Sequence, residues 1–297
     1  LLGLVGSEMC IRDRLVALKW WSPNENLFLK RSSYPVNFPQ KVLDVASSSV
    51  QTLPPDADGD RLDLTRLKVY TIDDESTEEI DDGLSVEYLE NDQVKLWIHI
   101  ADPTRLVTPG DELDLEARKR STTLYLPTGM ISMFPLELAA GPMSLCQGQL
   151  CAALSFGVIL DSEGAVVDYS IHASLIKPTY RLTYHDVDEM LQLGITAEAE
   201  LAVLAEAAKK RHQWRQSQGS ITIKMPEAII KVKSDEEISI ELLETSISRQ
   251  LVAEMMILAG EVAGTYCGEH GIPVPFRGQP QPELPPEEEL LLSLIHI

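Results

Sequence analysis

The sequence predicts an α+β fold, with a mixed or antiparallel β-sheet core flanked by helices. Two stretches alternate apolar and polar residues about a short polar turn, and each is typical of a β-hairpin; they cover 84–101 and 151–176. Four other segments carry helical spacing or helix-end signals, at 111–120, 184–194, 196–218 and 246–266. Antiparallel hairpins together with helices, rather than single strands that alternate strictly with helices, favour an α+β architecture.

The first hairpin is expected to turn at Asn91-Asp92. In its second strand Leu96 and Ile98 face one side of the sheet and His99 faces the other. We expect His99 to be a packed or hydrogen-bonded sheet residue rather than a ligand. The second hairpin, 151–160 with 165–176, turns at residues 161–164.

The predicted helices have recognisable ends. Acidic residues begin the 111–120 segment and basic residues end it, which suits the helix dipole. A capping box, Thr183 to Asp186, opens the next helix, and Gly194 closes it. The 196–218 helix is basic in its second half, which predicts either a solvated face or a phosphate-binding patch of Lys209, Lys210, Arg211 and Arg215.

The 246–266 helix carries an apolar stripe with two carboxylates beside it. Glu254 and Glu261 lie at the edge of this stripe, where an unpaired buried charge would be strongly unfavourable. Both therefore need a partner or a route to solvent, and we interpret Glu261 as structural.

The composition limits the class of protein. The 297 residues carry a formal charge of −21, which is unexpected for an RNA-binding protein. The four cysteines have no CxxC or zinc-like spacing, so we expect free thiols in a reducing compartment. No apolar run looks long enough to cross a membrane, and residues 1–6 do not form a secretion signal.

The most unusual stretch of the sequence is an acidic loop, residues 73–82, between two predicted strands. Seven carboxylates fall within these ten positions, and no lysine or arginine interrupts them. Neighbouring carboxylates at about 4 Å repel by about 1 kcal/mol in water and about 4 kcal/mol near a protein surface. The residues alone leave two alternatives open: a solvated acidic turn, or oxygen ligands for a divalent ion such as Mg²⁺. The spacing does not fit an EF-hand.

A series of motifs resembles the ribonuclease II/ribonuclease R (RNB) family of 3′→5′ exoribonucleases, most closely its cyanobacterial and plant-organelle branch. The motifs occur in the family's order over residues 66–280: TID at 71–73, EIDD at 79–82, VKLWIHIADP at 94–103, LDLEAR at 113–118, TTLYLP at 122–127, MFP at 133–135, MSL at 143–145, RLTY at 181–184 and EMMI at 254–257.

The resemblance implies hydrolysis of single-stranded RNA to nucleoside 5′-monophosphates with Mg²⁺, or Mn²⁺ in its place. It implies Asp73, Asp81 and Asp82 as catalytic residues, and these three with Glu79 as metal ligands. Glu79 stands where many family members have Asp, which moves the carboxylate outward by one methylene.

The resemblance also implies substrate contacts. Tyr125 is expected to stack near the terminal nucleotide, and Tyr184 to lie near the active site. Glu254 is expected near the metal or the terminal ribose, and Arg118 near the RNA backbone, although Arg118 equally suits helix capping and solubility.

We expect four regions along the chain. These are a non-native end (1–14), a partial N-terminal region and linker (15–61), a C-terminally incomplete RNB catalytic domain (62–282) and a disordered or non-native tail (283–297). The family's arginine-rich segment and S1 domain have no match, so we expect weak or no activity from this chain alone.

Two alternatives belong to other classes. One is a catalytically degenerate RNB module that binds RNA or serves as a scaffold, and the other is a calcium-sensing acidic module. For the enzyme we expect a monomer without membrane attachment, in a bacterial cytoplasm or in a chloroplast or mitochondrion.

Overall fold

A computed structural model describes residues 11–51, 59–90, 93–222, 227–234, 237–243 and 245–276. The expected turn at Asn91-Asp92, the outer parts of both ends and most of the linker at 52–58 lie outside these residues. The predicted boundaries of the four regions therefore stay a prediction.

The described strands form one large sheet and two small hairpins. The large sheet has the order β1-β8-β7-β4-β3-β2-β9. The strands are β1 (Leu62–Asp63), β2 (Val69–Asp73), β3 (Asp82–Tyr88), β4 (Val94–Ala101), β5 (Leu124–Leu126), β6 (Gly129–Ile131), β7 (Cys151–Leu160), β8 (Val166–Ile176), β9 (Pro178–Thr183), β10 (Glu227–Ser234) and β11 (Glu237–Leu243).

The helices flank the large sheet, which confirms the predicted α+β class. They are α1 (Leu27–Arg31), α2 (Gln40–Gln51), α3 (Glu112–Arg120), α4 (Leu136–Ala139), α5 (Tyr184–Leu193), α6 (Ala199–Ser217) and α7 (Ile247–Glu269), with short 3₁₀ turns at Pro103–Arg105 and Thr196–Glu198. The capping box of Thr183 and Asp186 begins α5, and Gly194, at φ 61°, ends it as predicted.

The two predicted hairpins are present, as the antiparallel pairs β3–β4 and β7–β8. Two parallel pairs, β2–β9 and β1–β8, make the sheet mixed. The sequence suggested that β3 is buried on one face, but residues 83–86 are buried on both. The reason is that the sheet has a core on each side: Leu84 and Val86 pack with α5–α7, whereas Trp97 packs in a second cluster on the opposite face.

His99 lies in the middle of the sheet and is fully buried, as expected of a sheet residue. Its ring nitrogens lie 2.8 Å from Ser85 Oγ and 2.7 Å from Ser155 Oγ. Burial lowers the pKa of His99 to about 3, so the ring is neutral and its polar atoms are satisfied within the core.

A third, smaller cluster lies against the end of the sheet. Val42 and Ala46 of α2 pack with Leu113, Leu138 and Met143. Helix α2 thus braces the segments that follow β4.

Helix α7 corrects the expectation that no apolar run could span a membrane. Its 23 residues are long and apolar enough to do so by length and composition. However, Leu251, Met255 and Leu258 are buried in the core against α5, α6 and the sheet, which is also how the core helix of a folded domain packs.

Candidate active site

The sheet fixes both ends of the acidic loop. Asp73 is the last residue of β2 and pairs in register with Thr183 of β9. Asp82 is the first residue of β3 and pairs with Ile100 of β4. The amide of Ala101 donates to the carbonyl of Asp81 at 2.8 Å. Because neighbouring strands hold both ends, the carboxylates at 73 and 81–82 stay together at one edge of the sheet.

Two of these carboxylates carry unrelieved charge. Burial, with smaller contributions from Asp73 and Asp81, raises the pKa of Asp82 to about 7. Desolvation by the surrounding protein, followed by the charges of Glu79 and Asp73, raises the pKa of Asp81 to about 6. This desolvation is partial, because Asp81 is also exposed to solvent. Among the described residues, neither side chain has a hydrogen-bond donor or a cation as partner. Both carboxylates would therefore be stabilised by a cation.

Only one of the two carboxylate oxygens of Asp73 accepts hydrogen bonds from the described residues. Its Oδ1 accepts from the amide of Asp74 and from the hydroxyl of Thr77, each at 2.8 Å. Its Oδ2 has no hydrogen-bond partner in the described part of the chain, so it remains free to coordinate an ion.

Glu79 is buried, and both of its carboxylate oxygens are engaged. Oε2 accepts from the hydroxyl of Thr123 at 3.1 Å, and Oε1 accepts from the hydroxyl of Ser132. These contacts tie the acidic loop to the segments on either side of the β5–β6 hairpin. In this arrangement Glu79 positions the wall of the site, and its role as a metal ligand stays a proposal.

A cavity of about 520 Å³ opens beside these groups. Asp81 and Glu79 line it together with Tyr125, and apolar side chains complete it: Met133, Phe134 and Met143. The Tyr125 ring is 65% exposed on β5, so one face is available for stacking. The aromatic ring and apolar side chains suit a flat base. The carboxylates would accept a phosphate only through a bound cation, because the two like charges repel each other.

Tyr184 lies on the other side of the acidic loop, in the first turn of α5. Burial raises its pKa to about 12, and the charges of Asp73 and Asp82 contribute. The guanidinium of Arg249 stacks on its ring, 4.0 Å from the centroid. The structure thus brings Tyr184 to the carboxylates, as it does Tyr125.

The other two predicted substrate residues lie elsewhere. Glu254 is buried between α6 and α7, where its carboxylate accepts from Arg215 at 2.6 and 2.9 Å and lies 2.8 Å from His212 Nδ1. None of its described contacts reaches the acidic loop. Arg118 is on the surface and pairs with Asp114 at 2.9 Å.

The expected basic patch on α6 is divided in the structure. Arg211 is buried, donates to the carbonyl of Gly164 and pairs with Glu261, and Arg215 pairs with Glu254. Both arginines are committed to internal partners, so only Lys209 and Lys210 remain available for an external phosphate.

The residues fit a divalent ion by donor type. In the described ranges, no group of three or more His, Cys, Asp or Glu side chains is arranged so that it could hold a metal ion. Mg²⁺ needs only one or two protein carboxylates and retains waters, so Asp73, Asp81 and Asp82 suffice as hard oxygen donors. Their lack of cationic partners is what such a site requires before the ion binds.

Sequence reasoning did not identify two arginines beside the acidic loop. Arg181 of β9 donates to the backbone carbonyls of Glu75 and Thr77. Arg249 of α7 pairs with Asp74 at 2.7 Å. Arg181 lies within the RLTY motif, but Arg249 is 175 residues from Asp74 and gave no sequence signal.

Comparison with known proteins identifies relatives of this chain. The RNB domain model matches residues 61–295. An uncharacterized ribonuclease of Synechocystis is 70% identical over 98% of this chain and 44% of its own length. The chloroplastic/mitochondrial ribonuclease II of Arabidopsis thaliana is 42% identical over 94% of this chain and 36% of its own. The chain therefore spans less than half the length of these two relatives.

Solved structures show the same fold at low sequence identity. Mycoplasma genitalium RNase R in complex with ribose-methylated single-stranded RNA superposes with a TM-score of 0.79 at 22% identity, covering 89% of this chain and 42% of that one. The yeast pseudonuclease Ssd1 superposes with a TM-score of 0.56 at 23% identity, covering 68% and 26%. The family match, the two relatives and the acidic loop agree, and the chain belongs to the RNB-domain family.

Proposed function

We propose that this RNB domain is the catalytic part of an exoribonuclease that hydrolyses single-stranded RNA from its 3′ end and releases nucleoside 5′-monophosphates. The observation that carries the proposal is the cavity beside the acidic loop, where Asp81, which has no partner among the described residues, lines the same space as the exposed Tyr125. The RNase R structure with bound single-stranded RNA, which has the same fold, supports RNA as the substrate class.

Asp73, Asp81 and Asp82 would hold Mg²⁺, with Mn²⁺ as a substitute. When bound, the metal would polarise the scissile phosphodiester and lower the pKa of a coordinated water. The raised pKa values of Asp81 and Asp82 mean that ion binding displaces protons from these carboxylates. Acidification should therefore weaken the metal site below about pH 6–7.

The remaining residues would orient the RNA. Tyr125 would stack on a base at the mouth of the cavity, as aromatic rings do in single-strand channels. Tyr184 would flank the same carboxylates from the α5 side. Glu79 would hold the cavity wall through Thr123 and Ser132. Arg118 would add a backbone contact at the surface. The predicted place of Glu254 near the metal or the terminal ribose stays a prediction, since its described contacts are with His212 and Arg215.

The test is degradation of 5′-labelled and 3′-labelled single-stranded RNA with Mg²⁺, with and without Asp81→Asn. We expect stepwise shortening from the 3′ end, and a loss of about 10²-fold or more in Asp81→Asn because a charged group at the reacting centre is removed. Product chromatography should show nucleoside 5′-monophosphates. Equal degradation by both proteins would contradict the proposal.

A second candidate is an RNB module that binds RNA or a partner without cutting it. The similarity to the Ssd1 pseudonuclease favours it, as does the lack of a preassembled three-ligand cluster in the described residues. Calorimetric titration separates the two. Mg²⁺ binding that is lost in Asp73→Asn and Asp82→Asn supports the enzyme, whereas RNA binding without any metal binding supports the module.

The relatives suggest where such an enzyme would work. A cyanobacterial protein and a chloroplastic/mitochondrial one are both similar to this chain, which supports a bacterial cytoplasm or an organelle. The monomeric state stays a prediction.

A further inference from the structure

Arg249 occupies an unusual position among the described arginines. It lies in the first turn of α7, its guanidinium is face-on to the Tyr184 ring, and it forms one ion pair, from Nη2 to Asp74 Oδ1. By contrast, Arg120 and Arg211 are buried in the protein and donate to internal oxygens. Arg249 is thus a cation of the active-site rim rather than of the core.

The surroundings of Arg249 place it at the acidic loop. The guanidinium of Arg249 contacts the Tyr184 ring, and the carboxylates of Asp73 and Asp82 are near enough to this ring for their charges to raise the pKa of Tyr184. A positive charge here opposes the repulsion that an incoming phosphate meets from the carboxylates. Such a phosphate would be strongly disfavoured without a cation nearby.

The pair with Asp74 is weak and leaves donors free. The side chain of Asp74 is 51% exposed, and that of Arg249 is 27% exposed. Exposed pairs of this kind contribute little to stability. Among the described residues, Nε and Nη1 of Arg249 have no hydrogen-bond partner. A guanidinium with free donors and a stacked face is well suited to bidentate contact with a phosphate.

We propose that Arg249 binds a backbone phosphate of single-stranded RNA beside the acidic loop, and that Asp74 competes with the RNA for it. Without RNA, Asp74 holds the guanidinium over Tyr184. With RNA, the phosphate displaces this carboxylate, and the Tyr184 ring keeps the guanidinium plane oriented. This inference rests on the proposed function, because it names a contact for the substrate of that site.

The experiment measures RNA affinity rather than cleavage. Fluorescence anisotropy of a labelled single-stranded RNA is recorded in an Asp81→Asn background, so that the RNA stays intact. Arg249→Ala should weaken binding about 10-fold, the scale of one charge-assisted hydrogen bond. Arg249→Lys should recover part of this loss, since it keeps the charge without the planar fork. The matched control is Arg66→Ala, which removes an equally charged surface arginine that pairs with Glu87 on the sheet.

The proposed competition between Asp74 and RNA predicts that removing the Asp74 charge increases RNA affinity. Asp74→Asn should tighten RNA binding several-fold, and should have no such effect when Arg249 is already Ala. The slope of log affinity against log salt should fall by about 0.7 in Arg249→Ala, as expected for one lost phosphate contact on a single strand. A neutral methylphosphonate at the contacted linkage should abolish the difference between Arg249→Ala and its parent.

Several outcomes would overturn the inference. They are equal affinities of Arg249→Ala and Arg66→Ala, an Asp74→Asn effect that persists without Arg249, or no detectable RNA binding by the parent. Thermal unfolding of each variant identifies loss of fold, and in that case Arg249→Lys and Asp74→Asn decide. The proposed function has a separate readout: Mg²⁺-dependent cleavage that is lost in Asp81→Asn can hold while the Arg249 contact fails, and the reverse also applies.

Discussion

Carboxylates are treated in opposite ways in two regions of this molecule. In the α6–α7 interface, Glu254 and Glu261 are each bound by an arginine, and the pairing lowers the pKa of Glu254 despite its burial. In the acidic loop, Asp81 and Asp82 have no such partner among the residues that the structure describes, and their pKa values rise to about 6 and 7. The first region is internally neutralised and serves stability, whereas the second stores repulsion that an added cation or protonation would relieve.

The largest expected effect is on the neutralised side. Glu254→Gln keeps the shape of the side chain but leaves Arg215 and His212 without their carboxylate. Removing one partner of a buried pair costs about 3 kcal/mol of unfolding free energy. Denaturant unfolding measures the change. The control is Glu206→Gln, because Glu206 pairs with Lys209 on the exposed surface of α6. Equal stabilities of the two variants would show that the interface pair is not structural.

In the acidic loop, removing a carboxylate should increase the free energy of unfolding rather than decrease it. Without metal, Asp82→Asn should stabilise the protein by about 1 kcal/mol at pH 8, since it removes a carboxylate whose ionisation is unfavourable in the fold. The same change should abolish Mg²⁺ binding and RNA degradation. Calorimetric unfolding in EDTA measures the gain, and addition of Mg²⁺ should stabilise the parent but not the variant. A destabilised Asp82→Asn in EDTA would contradict the idea of stored repulsion.

The gain should also depend on pH. The folded pKa of Asp82, about 7, lies above its usual 3.8, so the folded state holds its proton more tightly and stability falls as pH rises between these values. The stabilisation by Asp82→Asn should therefore be near zero at pH 4 and complete at pH 8. His99 contributes the reverse slope, because its pKa is lowered to about 3 and its stabilisation is lost as pH falls below 6.5. The His99 effect is common to both proteins and cancels in their difference.

The sequence showed the active-site loop but not the neutralised interface, and the reason is separation along the chain. The acidic loop, its two bounding strands and the β3–β4 hairpin are local patterns with short-range periodicity. The pair between Arg215 and Glu254 joins residues 39 apart, and its existence depends on how α6 packs on α7. From the sequence of α6 alone, the buried Arg211 and the internally paired Arg215 could not be distinguished from a solvated basic face.

The same reason explains the sheet. Hairpin partners were predictable because a turn connects them, but the parallel pairs β2–β9 and β1–β8 join segments about 110 residues apart. The pairing of β2 with β9 also brings Tyr184 to the acidic loop, since β9 leads directly into α5. The family resemblance predicted that Tyr184 lies near the site. The residues around Tyr184 predicted only that a helix begins there.

The smallest expected effect tests a surface charge that belongs to neither region. Arg118 and Asp114 form an exposed i,i+4 pair on α3, with the arginine side chain 71% exposed. Arg118→Ala should leave the unfolding free energy almost unchanged, because solvent screens such pairs. If Arg118 contacts the RNA backbone, affinity for single-stranded RNA falls a few-fold and the salt dependence becomes shallower. Unchanged affinity at low salt would show that Arg118 serves the helix surface through its pair with Asp114 and does not contact RNA.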